Sequence, residues 1–323
     1  MAGPKNGSKV AVIGLDVGGT KTAAGVVLFP EGKVLCRRVI PTNASRPGGV
    51  VLGEVVDLSK ELVRQAADLG FNVCGIGVGI AELVDAEGNL ASAHTINWLG
   101  LPVHASFAEV APVFLESDVR AAAHGEALLG AGRQLRSFVY VSVGTGISCC
   151  LVQGGKPHCG AHGCAIVLAT APLSATCPSC GVHSHPILEE FASGPALRRR
   201  YIEAAKVSIQ NGLEVTDMAE RGDPDAIRVV QSGGEALGVV VGLVANILDP
   251  DAIIVGGGLG LDDRLYWQSM VESTRSHIWA DSVKSLPILH AQLAADAGLI
   301  GAAASYWRQY QEPWTTPLER LIK

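Results

Sequence analysis

The chain has 323 residues, of which 48% are hydrophobic and 17% charged, with a formal net charge of -6. This balance describes a globular protein and lacks the basic excess that nucleic-acid binding requires, so nucleic acid is not an expected partner. The length exceeds the ~250–300 residues at which a single hydrophobic core stops growing, which makes two lobes the expectation. The polar lead-in MAGPKNGSK carries no apolar h-region, and no uninterrupted apolar run reaches membrane-spanning length. A cytoplasmic protein without a membrane partner is therefore expected.

Taken in order, Val10 to Asp16 reads as a buried strand, followed by the turn Val17-Gly18-Gly19-Thr20-Lys21 and a second strand, TAAGVVLF. Pro30-Glu31-Gly32-Lys33 turns the chain into a third strand, VLCRRVI. From Gly48 to Gly70 the spacing of Val51, Leu52, Val55, Val56, Leu58, Leu62, Val63 and Ala66 predicts a helix, and Val73 to Ile80 a buried strand. Asp85-Ala86-Glu87-Gly88 is a surface turn, and Asn97-Trp98-Leu99-Gly100 a loop with an unusual large aromatic. An apolar run then ends in Glu116-Ser117-Asp118, and an alanine-rich helix begins. Asp118 at such a junction either caps the helix or faces a cleft and accepts a proton.

Ser137 to Val143 is again a strand, broken by Gly144-Thr145-Gly146 and resumed as ISCCLV before a turn at Gly154-Gly155-Lys156. The order strand, Gly-Thr turn, strand, Gly-Lys turn thus occurs twice, which predicts two related lobes with a cleft between them and Asp118 at their boundary. The expected division is 1–118, joined by a returning helix at about 305–323, and 119–304. A Cys/His-rich loop, a helix ending near Arg200, a polar stretch, a long apolar helix over Ala226 to Leu248, strand AIIV, Gly256-Gly257-Gly258 and further helices complete the chain.

Glycine turns at strand ends let backbone amides approach an anion with no side chain in the way. Any one such turn is ordinary; three of them, each at a strand's carboxyl end, point to a ligand site of an α/β fold. Asp16 is placed either to cap its turn or to sit near a phosphate-bound magnesium ion. Positioned phosphates, a metal and a carboxylate that accepts the nucleophile's proton are the parts that phosphoryl transfer needs.

The motifs LDVGGTKTA, Glu116-Ser117-Asp118 before an alanine-rich helix ending in Gly-Glu, VGTGIS, GGKPHCGAHG, CxxCG, EEFASG, VGGG and GLIGAAAS follow one another in an order that resembles the ROK family. That family comprises sugar kinases and sugar-responsive repressors with the two-lobed, actin-like α/β ATPase fold. The resemblance implies ATP with Mg2+ as phosphoryl donor and Asp118 as the base acting on a sugar hydroxyl, usually the 6-hydroxyl of a hexose. Asp16, Gly18, Gly19, Thr20, Lys21, Gly144, Thr145 and Gly146 would serve the phosphates, and Gly257 and Gly258 would approach the adenosine. A homodimer is the family's usual form.

Several positions depart from the family pattern. Its Gly-Glu-x-Gly-His, whose Glu and His contact the sugar, is represented by Val167 and Thr170 in an ungapped reading and by Ala161 and Cys164 in a gapped one. Its Pro-Gly-x-Val-Asp is Ala81-Glu82-Leu83-Val84-Asp85, and the Asn before the catalytic Asp is Ser117. Glu189 matches the remaining sugar-binding glutamate, and Asn97 resembles the asparagine of the sugar-side loop. The phosphate half of the site is thus retained and the sugar half rebuilt, which predicts a changed substrate: an amino or otherwise modified glucose such as kanosamine or glucosamine, with Glu82 and Asp85 as candidate partners of its ammonium group. Glucokinase activity proper, or a non-catalytic sugar or nucleotide sensor, are the alternatives.

Eight cysteines are present, and Cys159, Cys164, Cys177 and Cys180 cluster, which in a reducing compartment favours metal over disulfide. The family's zinc loop is represented by Cys177-Pro178-Ser179-Cys180-Gly181-Val182-His183-Ser184-His185. Cys177, Cys180 and His185 would bind a structural Zn2+, with Cys164 or His183 as fourth ligand.

Overall fold

The computed structural model describes residues 9–176, 181 and 183–311. Strands β1 (Val10–Val17), β2 (Lys21–Phe29) and β3 (Lys33–Pro41) lead into helix α1 (Gly48–Asp68), β4 (Val73–Ile80), the short α2 (Val103–Ala108), β5 (Val113–Ser117) and α3 (Asp118–Leu129). Then come β6 (Ser137–Val143), β7 (Ile147–Gln153), β8 (Lys156–Pro157), the two-residue strands β9 (Ala175–Thr176) and β10 (His183–Ser184), α4 (Leu188–Ala192), α5 (Gly194–Ala205), α6 (Gly212–Glu220) and α7 (Pro224–Leu248). The chain continues as β11 (Ala252–Gly256), α8 (Leu265–His277), β12 (Ile288–His290) and α9 (Ala297–Gln311).

The chain divides into two compact units. One takes in the described residues up to Arg133, Pro157–Ala165 and those from Asp296 onward; the other takes in Gln134–Lys156 and Ile166–Ala295. Helix α3 belongs wholly to the first unit, so the division falls after Arg133 and not at the expected 118. The reason is packing: Gly301 of α9 lies so close to α3 that an added Cβ would meet the Ala121 carbonyl at 1.8 Å.

The first unit is built on a five-stranded sheet in the order β3-β2-β1-β4-β5. β1 pairs antiparallel with β2 and parallel with β4, and β4 pairs parallel with β5. Helix α1 turns Val51, Leu52, Val55, Val56, Leu58, Leu62 and Ala66 into a core shared with Ile13, Leu15, Ile76 and the fully buried Trp98. Each such side chain removed from water contributes about 1.5–3 kcal/mol before the entropy of ordering it is subtracted. Helix α9 comes against the sheet at Gly14 and Gly77, where Cβ atoms would run into the carbonyls of Leu299 and Ala302 at 2.1 and 1.8 Å.

The second unit repeats the plan, with a sheet in the order β12-β11-β6-β7-β8. β6 pairs antiparallel with β7 and parallel with β11, and β11 pairs parallel with β12. A hairpin on one side of a central strand and two parallel strands on the other is the arrangement of both sheets, which is the duplication that the paired Gly-Thr turns announced. Helix α7 starts at Pro224, with the Asp223 carboxylate accepting from the Asp225 and Ala226 amides. Gly234, Gly238 and Gly242 bring α7 against α8, since Cβ atoms there would meet the carbonyls of Tyr266, Met270 and Thr274. By length and composition α7 would suit a membrane, but 56% of its most apolar window is buried, as in a core helix.

Periodicity missed α2, α6 and β12. Six and three residues are too few to show a period in α2 and β12. Helix α6 lies in a polar stretch and is fixed by its cap, the Asn211 side chain accepting from the Glu214 amide.

Candidate active site

In the first unit the parallel strands β1, β4 and β5 end side by side, with Asp16 opposite Gly79, Gly79 opposite Glu116 and Ile80 opposite Ser117. Their carboxyl ends therefore deliver Asp16, Glu82 and Asp118 to one edge of the sheet, the edge where ligands of such sheets bind. Asp118 is the first residue of α3, and its Oδ1 accepts from the Val119 amide at 2.7 Å. One oxygen thus serves a free amide of the helix's first turn, while Ser117 holds the N-cap position, and the second oxygen is left for other work. Burial raises its carboxyl to about 7, aided by the negative charges of Asp16 and Glu82 and opposed by the Val119 amide and Arg120. Burial likewise raises Asp16 to about 6, against the pull of Lys21. The Asp16 carboxylate occupies the space over Gly298, where an added Cβ would come within 2.4 Å of Oδ2. Gly298 is the second residue of α9, so the closing GLIGAAAS motif places a helix N-terminus against this carboxylate. The Gly18 amide donates to the Lys21 carbonyl at 3.1 Å, closing the first glycine turn, with Thr20 and Lys21 exposed on it.

Glu82 is 6% exposed, and its carboxylate is filled from within the chain. Oε1 accepts from the Thr95 amide and, at 2.7 Å, from the Ile96 amide; Oε2 accepts from Ser92 Oγ and, at 2.9 Å, from the His94 amide. Burial works against its charge, but these donors outweigh it and hold the carboxyl below the usual glutamate range. A carboxylate offers about four acceptor positions, so the expected contact of Glu82 with a ligand ammonium is corrected: its acceptors are already taken. Asp85 is likewise committed to its turn, accepting from the Glu87 and Asn89 amides and the Asn89 side chain. Ser117 is buried at 5% exposure, and Asn97 is exposed on its loop.

Sequence reasoning did not single out Arg120. It is 5% exposed and donates to Glu116 Oε1 at 2.5 Å, to the Gly163 carbonyl at 2.8 Å and to the Val84 carbonyl at 2.6 Å. A charged residue inside an alanine-rich helix was the available signal, since such a residue is rarely buried without partners.

In the second unit the Gly144-Thr145-Gly146 turn and Gly257-Gly258 meet at the carboxyl ends of the neighbouring strands β6 and β11. A Cβ on Gly144 would lie 3.7 Å from the Gly258 amide nitrogen, and one on Gly257 would strike the Val143 carbonyl at 2.4 Å. Gly257 has φ +81°, a conformation that glycine adopts without strain. Glu189 on α4 accepts from the Ile147 amide at 2.8 Å through Oε2, and the Gly194 amide donates to the Gly144 carbonyl at 2.9 Å. Both contacts brace the Gly-Thr-Gly turn.

A family model described as the ROK family matches residues 12–309. The chain belongs to the ROK family. It is 29% identical over 311 residues to a glucokinase of Streptomyces coelicolor, covering 90% of this chain and 96% of that protein. It is 31% identical over 298 residues to a bifunctional enzyme NanE/NanK of Brucella melitensis, covering 90% of this chain and 53% of that protein. Its fold superposes with a TM-score of 0.75 on a ROK family glucokinase from Streptomyces griseus in complex with glucose and AMPPNP, at 30% identity over 91% of this chain and 98% of that one. The architecture is the two-lobed, actin-like α/β fold of ROK sugar kinases.

In the gapped reading the expected Glu and His positions are Ala161 and Cys164, both exposed; in the ungapped one they are Val167, at 46% exposure, and Thr170, also exposed, whose hydroxyl donates to the Val167 carbonyl at 3.0 Å. Neither pair supplies a carboxylate or an imidazole. Ile166, before Val167, has φ 56°, a left-handed conformation that costs a β-branched residue about 1–2 kcal/mol. Of the expected zinc ligands, Cys177 and Cys180 lie outside the described residues. Cys164 and His185 are exposed, and the Cys164 thiol donates to the His162 carbonyl. Among the described residues no group of three His, Cys, Asp or Glu side chains is placed to hold a metal. The antiparallel pair β9–β10, with His183 opposite Thr176, brings together the two ends of the chain that flank 177–182. Cysteine sulfurs combined with one or two imidazole nitrogens are a donor set that zinc accepts.

Proposed function

We propose that this protein is an ATP-dependent hexose kinase in which Asp118 takes the proton of the attacking hydroxyl, the 6-hydroxyl of an amino or otherwise modified glucose such as kanosamine or glucosamine. The observation that carries this reading is the environment of Asp118: a carboxyl raised to about 7 at the end of β5 is a base matched to neutral pH. As the hydroxyl proton passes to Asp118, its oxygen forms a bond to the γ-phosphorus and the bond to the β–γ bridging oxygen breaks, releasing ADP. The amides of Gly18–Thr20 and Gly144–Gly146 serve the phosphates, Lys21 adds a positive charge, and Gly257 and Gly258 leave room for the adenosine. Asp16 offers the hard oxygen donor that Mg2+ prefers, and the ion, when bound, would neutralise charge on the transferring phosphoryl group.

Two features support an amino sugar over glucose. Neither Val167 and Thr170 nor, in the gapped reading, Ala161 and Cys164 supply the usual hydroxyl-binding Glu and His, and the negative field of Asp16, Glu82 and Asp118 favours a cationic ligand. The second reading, a sensor that binds sugar without phosphorylating it, is favoured by the same replacement of Glu and His. ADP release with magnesium ATP across glucose, mannose, N-acetylmannosamine, glucosamine and 3-amino-3-deoxyglucose distinguishes the two. Selective turnover of an amino sugar is the expected result; binding of ATP without turnover of any sugar is the result expected of a sensor.

Cys177, Cys180 and His185, with Cys164 as fourth ligand, are proposed to hold a structural zinc bracing the segment that leads to Glu189. Metal analysis of the purified protein should find one zinc per chain. A cytoplasmic location and a homodimer complete the reading.

A further inference from the structure

The loop 92–97 is folded around one side chain. Three consecutive amides, those of His94, Thr95 and Ile96, and the hydroxyl of Ser92 all donate to the carboxylate of Glu82. Consecutive amides converging in this way form an anion cradle, and buried amides must find an acceptor somewhere. Here the chain provides its own anion, the Glu82 carboxylate. The far side of the loop rests on the phosphate turn: a Cβ on Gly19 would lie 2.6 Å from Thr95 Cγ2. The loop is therefore held between Glu82 at the end of β4 and the glycine turn at the end of β1, and it carries Asn97 two residues beyond Thr95.

We propose that Glu82 is a positioning residue: it shapes the 92–97 loop on which the sugar is recognised, and it acts through that loop and not by touching substrate. The proposal rests on the kinase reading for its kinetic consequence and on the hydrogen bonds alone for its structural one. An uncharged amide at position 82 has one oxygen for four donors and turns an NH2 group towards amides that cannot accept from it. Charge-assisted bonds are the strong ones, so the loss is felt across the loop.

The test compares wild type with Glu82→Gln and with Ser92→Ala, which removes one of the four donors to Glu82 and with it the acceptor of the Leu83 amide. Hydrogen exchange of a 91–98 peptide is followed by mass spectrometry, alongside steady-state kinetics with the best sugar of the panel. Glu82→Gln should speed exchange at 94–96 about 10-fold or more and raise KM for the sugar by a similar factor, with KM for MgATP within about twofold of wild type. Ser92→Ala should shift both in the same direction by about threefold, and it keeps the test alive if Glu82→Gln does not fold. Unchanged exchange in the folded variants, or faster exchange with an unchanged sugar KM, overturns the proposal. A wild type that turns over no sugar overturns the kinase reading instead, and the exchange rates then decide whether Glu82 shapes the loop.

Discussion

The guanidinium of Arg120 donates to the carbonyl of Gly163 at 2.8 Å, tying the first turn of the helix that begins at Asp118 to a segment 43 residues further along the chain. Gly163 itself has φ +71° and sits so close to Val84 that a Cβ would meet the Val84 carbonyl at 2.1 Å. Since Arg120 also donates to that carbonyl and to Glu116, one buried cation fixes β5, α3, the turn after β4 and the 157–165 segment together. Arg120→Ala should lower stability by about 3–5 kcal/mol, because it strands Glu116 and two carbonyls without their donor. Burial already pushes the Glu116 carboxyl up against the pull of Arg120. Without that pull its folded value rises further, so the deficit should grow as pH rises above the glutamate range and shrink below it. Urea midpoints at pH 4.5 and pH 8 check both statements; equal losses at the two values would remove Glu116 from the explanation.

If Asp118 is the base, as proposed, it should set the acid limb of activity. A base must be ionised to work, and its carboxyl stands at about 7, so kcat/KM should fall as pH drops below about 7, with the limb reporting the free enzyme. Because the negative charges of Asp16 and Glu82 contribute to that value, Asp16→Asn should move the limb to lower pH in whatever activity remains. A limb near the ordinary aspartate value of about 4 would mean that the site does not raise Asp118.

Much of this arrangement is legible in the residues, and the part that is not has physical reasons. Val10–Val17, Val73–Ile80 and Ser137–Val143 announce themselves as buried strands because they are short apolar runs between turn residues. Asp118 stands out because a carboxylate directly follows such a run. The roles of Glu82 and Arg120 are different in kind. Glu82 reads as a free carboxylate in a turn until the fold brings the amides of residues 94–96 onto it, 12 to 14 positions away. Arg120 reads as a charge on a helix surface, and only the return of the 157–165 segment buries it. Partners so distant in sequence leave no local period or spacing, so tertiary structure alone reveals which polar side chains are spent on the scaffold and which remain for a ligand.

The carboxylate proposed as the base should also cost the protein stability. Asp118 has a folded value of about 7 against an ordinary aspartate value of 3.8, so the folded state holds its proton more tightly than the unfolded chain does. Stability is therefore lost as pH rises from about 4 through 7 and is not regained above it. Asp118→Asn removes the ionisable group and should stabilise the protein at pH 8 by about 1–3 kcal/mol while the gap closes near pH 4. Turnover should fall by about 10²–10⁴-fold with nucleotide binding nearly unchanged. Thermal unfolding at the two pH values, with nucleotide titration of the same variant, measures all three; an Asn variant no more stable at pH 8 would show that the site relieves the burial of Asp118 in another way.

Gly298→Ala separates stability from function in the opposite sense. Alanine is favoured over glycine in a helix by about 1 kcal/mol, and position 298 lies in the first turn of α9, so backbone preference alone predicts an unchanged or slightly higher melting temperature. The added Cβ, however, would come 2.4 Å from one oxygen of Asp16 and 2.5 Å from its carboxyl carbon, closer than real Cβ atoms approach anything. Asp16 must then rotate away from the end of β1 or α9 must shift along the sheet. The first response is the cheaper, because α9 is locked in place at Gly14, Gly77 and Gly301 by contacts with backbone atoms. The expected variant is folded, melts within a few degrees of wild type and has a KM for MgATP raised about 10-fold or more, with KM for the sugar changed much less. A rise confined to the sugar would assign Asp16 to the other substrate, and wild-type kinetics throughout would show that the carboxylate position at the end of β1 does not matter to the reaction.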